Sequence, residues 1–406
     1  MTEPAQRTGL LRGNQAFRAL CASRAVSFAG DGVTATALVF VASRQDGPWG
    51  VSLLLLANAL PRLGGPLAGV LADRIRTRRL LVSCDLGSAL VIGAIAATLP
   101  PLPILVALVV VAGVLATIRN PAGRSLVPAL VDPADRAPAN ALFGLARTLQ
   151  LAVGPGLGGL LAAGPGGVHT ALAVDAATFI VSALLLTRLP ALEPARDPAA
   201  STGIWAEASA GLRYVATNRR VRILILTMFV IVAFAGVDNV ALVFLTNDQL
   251  VSGPAGYGLA ASAFGLGMLL ASVACTRLMR GRSPAALLTV AIAASGVGMV
   301  STGLAPVLAV VVAAQLVSGA GNAGENIGYD TVIQDAVPRA LLGRVFGTLG
   351  TAAQLGAGFA YVTGGLLVNL AGARTAFVLA GTGTLAVLLV LVPALRDASA
   401  PMPRTS

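Results

Sequence analysis

The chain has no lysine and few charged residues of any kind. All 28 basic side chains are arginines, and only 11% of the 406 residues are charged, against about a quarter in a typical soluble domain. The missing lysine excludes a Walker A nucleotide site, because the lysine of that motif reaches the phosphates. Hydrophobic residues make up 56% of the chain, so the low charge indicates that lipid surrounds much of it.

Histidine and cysteine are also scarce. The one histidine, His169, lies in a glycine-rich connection, where we interpret it as a loop residue. The cysteines, Cys21, Cys84 and Cys275, lie in separate apolar segments without metal-ligand spacing, and we interpret them as helix-packing residues. A catalytic triad and a histidine-rich metal site therefore lack their parts, and we expect no enzyme, no metal and no cofactor.

The formal net charge of +11 at first suggests a nucleic-acid partner. The arginines, however, occur in short clusters between apolar runs, with no basic domain interleaved with aromatic residues. This placement favours orientation in a membrane, and we expect the lipid bilayer rather than nucleic acid as the partner of these charges.

Apolar runs long enough to cross a bilayer recur along the whole chain. If the N-terminus is inside, 22 arginines lie on the inner side, 2 on the outer side and 4 at membrane depth, namely Arg24, Arg62, Arg119 and Arg147. Short loops rich in arginine stay in the cytoplasm, so we expect a multi-pass protein of the cytoplasmic (inner) membrane with both termini cytoplasmic. The twelve predicted transmembrane helices cover residues 19–43, 50–71, 79–99, 102–122, 140–163, 168–187, 222–246, 256–278, 284–303, 306–329, 345–369 and 373–394.

The longest polar stretch divides the chain into two halves. We predict an N-terminal six-helix bundle at 1–187, a cytoplasmic linker at 188–221 and a C-terminal six-helix bundle at 222–406. Apolar residues at helical spacing between Ile204 and Val215 predict an amphipathic helix on the inner surface of the membrane, and a plain linker helix is the alternative.

Short segments repeat between these halves at nearly one spacing. Phe28-Ala29-Gly30 recurs at 234–236 and Gly158-Gly159-Leu160-Leu161 recurs at 364–367, both 206 residues on (234 minus 28 and 364 minus 158). Such a repeat predicts a duplicated unit, and hence an all-α membrane protein of two pseudo-symmetric six-helix bundles that hold solute at mid-membrane.

The loop between the second and third predicted spans carries the most specific motif. Its sequence, Gly69-Val70-Leu71-Ala72-Asp73-Arg74 followed by an arginine cluster, resembles the loop signature of the major facilitator superfamily, although Arg76-Thr77 stands where that family usually has a second glycine. The resemblance implies the major facilitator fold and a gating loop, and an ordinary positive-inside loop is the alternative reading. The gating residues that it implies are Gly69, Asp73, Arg74 and Arg78.

Other segments resemble the branch that includes enterobactin exporters and macrolide efflux proteins, among them Asn120-Pro121-Ala122, residues 211–214 and residues 342–345. Arg119 gives a weak match to the family's fourth-helix arginine motif. The fifth span resembles a signature of antiporting members, for which close helix packing is an equal explanation. The residues that match it are Gly154, Pro155, Gly158 and Gly159.

Polar and charged residues at membrane depth are candidates for a transport path, because they are costly there. We predict an ion pair between Asp31 and Arg62, and a permanent structural tie is the alternative to a functional pair. Proton coupling requires one carboxylate that changes its protonation state, and Asp31 is our first candidate ahead of Asp238 and Glu325. The predicted path residues are Asp31, Arg62, Arg147, Gln150, Asp238, Asn239, Glu325 and Asn326.

These features together predict a secondary active transporter, expected to be a monomer, that exports a small amphipathic compound by proton antiport with alternating access. A solute uptake carrier is one alternative, and a membrane receptor or scaffold that resembles a transporter is another. The predicted gating loop and the charged interior favour transport.

Overall fold

The computed structural model describes residues 13–65, 76–190, 213–278 and 283–396, and every regular element in these ranges is helical. The predicted all-α class is therefore confirmed. The predicted gating residues Gly69, Asp73 and Arg74 lie outside the described residues, as does most of the predicted linker helix, of which 213–217 is described and helical.

The first half of the described chain forms five long helices. Short turns at Leu60–Gly64, Val127–Leu130 and Pro133–Asp135 lie between some of them. The long helices are α1 (Gln15–Ala59), α2 (Thr77–Thr98), α3 (Leu102–Ser125), α4 (Arg136–Ala163) and α5 (Gly167–Leu186).

Besides the helical residues 213–217, the described part of the second half forms six helices, and α7 continues into a π-helical turn at Leu245–Gln249. A further short turn, Arg339–Leu341, precedes the last helix. The helices are α6 (Arg219–Ala235), α7 (Asp238–Phe244), α8 (Gly253–Leu278), α9 (Pro284–Leu304), α10 (Leu308–Ala336) and α11 (Leu342–Arg396).

Every predicted span overlaps one of these helices. The first two spans share α1, which is interrupted at Asp46 and Gly47, and the last two share α11, which is interrupted at Gly372. Eight helical segments of the described ranges are long and apolar enough to cross a membrane. Helices α4 and α10 are outside that set, and both carry polar residues along their length. The number of membrane crossings stays a prediction.

The structure corrects the placement of His169. The left-handed Gly166 caps α5, so the helix begins at Gly167 and His169 lies in its first turn rather than in a loop. The Nδ1 atom of His169 is 2.5 Å from the carbonyl oxygen of Ala96. This hydrogen bond joins the start of α5 to the end of α2.

Contacts divide the chain into two compact units. Unit one contains residues 1–197 with 253–262, and unit two contains residues 198–252 with 263–406. In unit one, α1 packs on α3, α4 and α5, and α2 packs on α3 and α5. In unit two, α11 packs on α6, α7 and α9, and α9 packs on α10. The predicted boundaries at 187 and 222 stay a prediction.

Glycines with a positive φ angle recur along the chain at the spacing of the sequence repeat. Gly47 and Gly253 have φ angles of 53° and 60°, and Gly166 and Gly372 have φ angles of 83° and 81°. Both pairs are 206 residues apart (253 minus 47 and 372 minus 166). Glycines with a positive φ angle thus lie at corresponding places in the two halves, where a side chain would strain the backbone. The ψ angles of Gly166 and Gly372 differ, at −9° and 163°, so the equivalence is one of position and not of the whole conformation.

Replacement of Gly47 or Gly253 by alanine is expected to lower stability through backbone strain alone. A Cβ atom at either position meets nothing within 4 Å, so the cost comes from the positive φ angle, about 1–3 kcal/mol for each site. We expect each variant to have a lower apparent melting temperature in detergent, with nearly additive effects in the double variant.

Gly343→Ala is the matched control. A Cβ atom there also meets nothing within 4 Å, but Gly343 lies in the first turn of α11 without a left-handed φ. Alanine favours a helix over glycine by about 1 kcal/mol, so this variant should melt at the same temperature or higher. Equal destabilisation at all three positions would contradict the strain argument.

Candidate functional site

Two arginines and two aspartates form a buried cluster inside unit one, which we call the charge network: Arg24, Asp31, Asp85 and Arg119. An Nη2 atom of Arg24 lies 2.8 Å from an Asp85 oxygen. Arg119 lies 2.9 Å from Asp31 and 3.4 Å from Asp85. Helices α1, α2 and α3 thus join their charged residues in one chain of ion pairs.

Burial makes these pairings obligatory. Arg24 and Arg119 are each 1% exposed, and Asp85 is fully buried. A charge away from water is costly unless it is paired and hydrogen-bonded, and a charge on a membrane helix turns inward to find such a partner. On α1, Arg24 and Asp31 are seven residues apart and share one face, so one helix contributes a cation and an anion.

Asp85 is the fixed member of the network. It accepts hydrogen bonds from Arg24, from Arg119 at 3.4 Å and from the Ser182 hydroxyl at 2.6 Å. The Ser182 hydroxyl also lies 2.7 Å from that of Ser23. These contacts hold the Asp85 carboxylate from α1, α3 and α5 at once.

Asp31 is the accessible member. Its side chain is 25% exposed and receives two hydrogen bonds from Nη2 of Arg119, at 2.9 and 3.2 Å. The Arg119 guanidinium also lies 4.7 Å from the centre of the Phe179 ring, a favourable cation–π contact. Arg119 is therefore shared by a buried carboxylate and a partly exposed one.

A third aspartate, Asp175 of α5, is fully buried beside α1. It accepts hydrogen bonds from the Thr34 hydroxyl at 2.5 Å and from the Thr178 hydroxyl at 3.0 Å. Among the described residues it is in no ion pair, in contrast to Asp31 and Asp85.

The predicted pair between Asp31 and Arg62 is wrong. Arg62 lies in the short turn after α1, is exposed, and donates to Asn58 Oδ1 one helical turn earlier at 2.6 Å. The partner of Asp31 is Arg119 of α3. The weak match to the fourth-helix motif had singled out Arg119, but Arg119 was not among the predicted path residues.

The glycine motif of α4 packs against α1 and against the first turns of α8. A Cβ atom on Gly154 would be 2.6 Å from the Cα atom of Gly32, and one on Gly158 would be 2.9 Å from Thr36. Gly159 stands equally close to Gly258, since a Cβ atom there would be 3.0 Å from the Gly258 Cα. The motif thus makes close backbone packing, with Pro155 inside the helix. A role in the direction of transport stays a prediction.

Other predicted residues of unit one have local roles. Arg147 is exposed and Gln150 is half-buried on α4. Arg78, the described member of the predicted gating loop, donates to the Leu189 carbonyl at 2.9 Å. This bond ties the start of α2 to the chain just after α5.

In unit two the predicted residues are not brought into one cluster. Asp238 accepts from Gln315 Nε2 at 2.7 Å, which joins α7 to α10. Asn239 and Asn326 are exposed, and each donates to a backbone carbonyl of its own segment. Glu325 is 4% exposed, and its Oε1 atom has no partner among the described residues.

Sequence reasoning missed Asp85 and Asp175 as site residues. Each is a single acid within a long apolar helix, which was already a sufficient signal because a charge at that depth is costly. Arg24 and Arg119 were recognised as arginines at membrane depth, but their partners depend on how four helices are rotated against each other.

A cleft of about 280 Å³ opens beside the charge network, between the first turns of α1 and α4. Its walls are mostly apolar, and exposed Arg18 lies among its lining residues. The other lining residues include Cys21, Arg24, Leu142, Phe143 and Ala146. Among the described residues, no group of three histidine, cysteine or acidic side chains could hold a metal ion.

Comparison with known proteins gives one consistent result. The family described as a transmembrane secretion effector matches residues 11–400. The multidrug efflux pump Tap of Mycolicibacterium fortuitum is 28% identical over 390 residues, which cover 91% of this chain and 93% of that protein. The enterobactin exporter EntS of Shigella boydii is 28% identical over 348 residues, which cover 83% of this chain and 82% of that protein.

A solved structure supports the fold alone. The nucleoside transporter NupG aligns with a TM-score of 0.76 at 13% identity, over 94% of this chain and 99% of that one. The similarity extends over nearly the whole of both chains, so it concerns the complete architecture and not a single bundle.

Removal of the Asp85 carboxylate is expected to destabilise the protein more than removal of the Asp31 carboxylate. Asp85→Ala would leave Arg24 and Arg119 short of a buried anion, and loss of one partner of a buried pair costs about 3–5 kcal/mol. Asp31→Ala should cost less, because that side chain is partly exposed and Arg119 keeps Asp85. Thermal unfolding of the purified variants in detergent measures the difference, and equal losses would contradict a fixed role for Asp85.

Proposed function

This chain belongs to the transmembrane secretion effector family of the major facilitator superfamily, and from that premise we propose that it exports a small amphipathic compound by proton antiport. It is a multi-pass membrane transporter and not an enzyme. The proposal names the direction, the coupling ion and the class of solute, and its main support is the sharing of Arg119 between Asp31 and Asp85.

The charge network supports a carboxylate that can be protonated and ionised in turn. If a proton binds Asp31, Arg119 loses one partner but retains Asp85, 3.4 Å away. Arg119 therefore keeps a carboxylate partner in Asp85, which it then shares with Arg24. Asp31 is also partly exposed, so a proton can reach it from water.

The energy of the membrane potential suffices for such an exchange. One elementary charge that crosses 100 mV releases about 2.3 kcal/mol. A factor of ten in concentration corresponds to about 1.4 kcal/mol. One proton per solute can thus support a useful outward gradient of a neutral compound.

The class of solute is proposed from two observations. Tap and EntS are named as a multidrug efflux pump and an enterobactin exporter, and both names denote small organic cargo. The cleft beside Arg24 has apolar walls with arginines among its lining residues, which suits a compound with an apolar body and a polar group.

We further propose the cytoplasmic membrane as the location, with both termini inside, and alternating access of two six-helix halves as the mechanism. A solute uptake carrier and a ligand-binding receptor or scaffold are the alternatives. Ionisable groups buried inside a membrane bundle are costly, and a scaffold would have little need for the shared arginine.

Export is tested in cells that lack their own efflux pumps. Expression of the chain should lower the accumulation of a fluorescent amphipathic dye, and an uncoupler should abolish the effect. Asp31→Asn removes the titrating group while it keeps the size of the side chain, so the variant should lose more than 90% of the export. The same measurement is made with a wider panel of amphipathic compounds, which the dye represents.

Asp46→Asn provides the matched control, because Asp46 is an exposed aspartate of the same helix, α1, away from the network. It should export as well as the original chain. Export that persists in the presence of the uncoupler would disprove proton exchange, and accumulation unchanged across the whole panel would favour the scaffold.

Topology is tested by cysteine labelling in a variant whose three native cysteines are replaced by serine. His169→Cys should react with a membrane-impermeant maleimide added to intact cells, because the predicted threading places this exposed residue outside. Asp132→Cys, in the connection between α3 and α4, should react only after the membrane is permeabilised. Reaction of both residues from the same side would contradict the threading.

A further inference from the structure

Unit one has one buried acid too many for its buried arginines. Arg24 and Arg119 can neutralise two aspartates, and Asp31 and Asp85 take those two positions. Asp175 is a third aspartate beside them, fully buried and outside every described ion pair. We propose that Asp175 is a proton-binding residue, and that its proton makes the buried interior of unit one electrically neutral.

The hydrogen-bond partners of Asp175 are hydroxyl groups, which can accommodate a proton on its carboxyl group. Arginine only donates hydrogen bonds, so Asp31 and Asp85 must accept from it as carboxylates. A hydroxyl both donates and accepts. The 2.5 Å contact between Asp175 Oδ2 and the Thr34 hydroxyl can therefore persist after protonation, with the carboxyl group as donor and the threonine as acceptor.

Thr178 can adapt in the same way. Its hydroxyl lies 3.0 Å from Asp175 Oδ1 and 2.8 Å from the Asp175 carbonyl oxygen. The hydroxyl hydrogen can turn to the carbonyl when the carboxyl group is neutral and back to the carboxylate when it is charged. Both protonation states of Asp175 thus keep their hydrogen bonds without movement of the helices.

The packing around Asp175 favours a proton over a metal ion as the added positive charge. Both carboxylate oxygens already have hydroxyl partners. The carboxylate also lies against the Cα atom of Gly30, so closely that a Cβ atom there would overlap Oδ1. A hard cation needs about six oxygen ligands around it, and the space for such a shell is filled.

Each of the helices α1 to α5 carries charged or titratable groups, of which Asp31 and Arg119 interact electrostatically with Asp175. Helix α1 contributes Arg24 and Asp31, α2 contributes Asp85 with the Cys84 thiol, and α3 contributes Arg119. Helix α4 carries Arg147, which is exposed, and His169 of α5 itself is six residues away and bonded to Ala96. Thr34 lies one turn after Asp31 on α1, so a proton on Asp175 sits beside the partly exposed carboxylate.

Infrared spectroscopy of the purified protein tests the proposal directly, because a protonated carboxyl group absorbs at a different frequency from a carboxylate. The difference between the original chain and Asp175→Asn at neutral pH should contain one band of a protonated carboxyl group. Asp248→Asn, a change at an exposed aspartate, should remove no such band. This test does not rest on the proposed export, so failure of one leaves the other standing.

Thr178→Val gives a second variant that keeps the carboxyl group but removes one hydrogen-bond partner. We expect it to retain the band at a shifted frequency. If the band is absent from the original chain, or if sodium ions abolish it, then Asp175 is ionised or binds a metal ion and the proposal fails.

A transport measurement adds a functional readout that rests on the proposed function. Asparagine resembles the protonated form of Asp175 and cannot ionise, so Asp175→Asn should retain export at neutral pH and keep it at a more alkaline pH than the original chain. Loss of export at every pH in a correctly folded variant would show that the ionised form is required, and would overturn the proposal.

Discussion

Neutralisation of charge inside an apolar bundle is the constraint on which the rest of this structure depends. Helices that face lipid have no water to solvate an ionised side chain, so each buried charge must meet an opposite charge or a hydrogen-bonding partner within the protein. In unit one this requirement restricts how α1, α2 and α3 can be rotated, because Arg24 and Arg119 must both face Asp85. The same pairs that fix the bundle also provide the groups that can exchange a proton.

Local patterns in the sequence were enough to predict the helices but not their partners. Apolar runs predicted spans that overlap each of the helices α1 to α11, and the resemblance of the gating loop predicted the family. The predicted pair between Asp31 and Arg62 was wrong. Two spans that follow each other in the sequence need not turn their charged faces toward each other. The partner of Asp31 is Arg119, which lies on a helix further along the chain. Asp175 shows the same limit, since its environment is made by a threonine of α1 that only the packing brings near.

The repeat is clearer in the backbone than in the side chains. Helices α3 and α10 both begin with leucine, 206 residues apart (308 minus 102), and at that spacing Arg119 corresponds to Glu325 (325 minus 119). In unit one the position holds a cation between two aspartates. In unit two it holds a nearly buried carboxylate with an oxygen that has no partner among the described residues. The two halves thus share the start of this helix, while the corresponding position holds a cation in unit one and a carboxylate in unit two.

The contact between Gly32 and Gly154 has a mechanical consequence. With backbone against backbone and no side chain between them, α1 and α4 have no layer of flexible groups that could let one slide along the other. Helices α1 and α4 should therefore move together as one rigid unit during any rearrangement. Any conformational change must then occur at contacts that are less closely packed. Spin labels attached to exposed positions of α1 and α4, away from this contact, should keep a constant separation, against which displacement of the other helices could be measured.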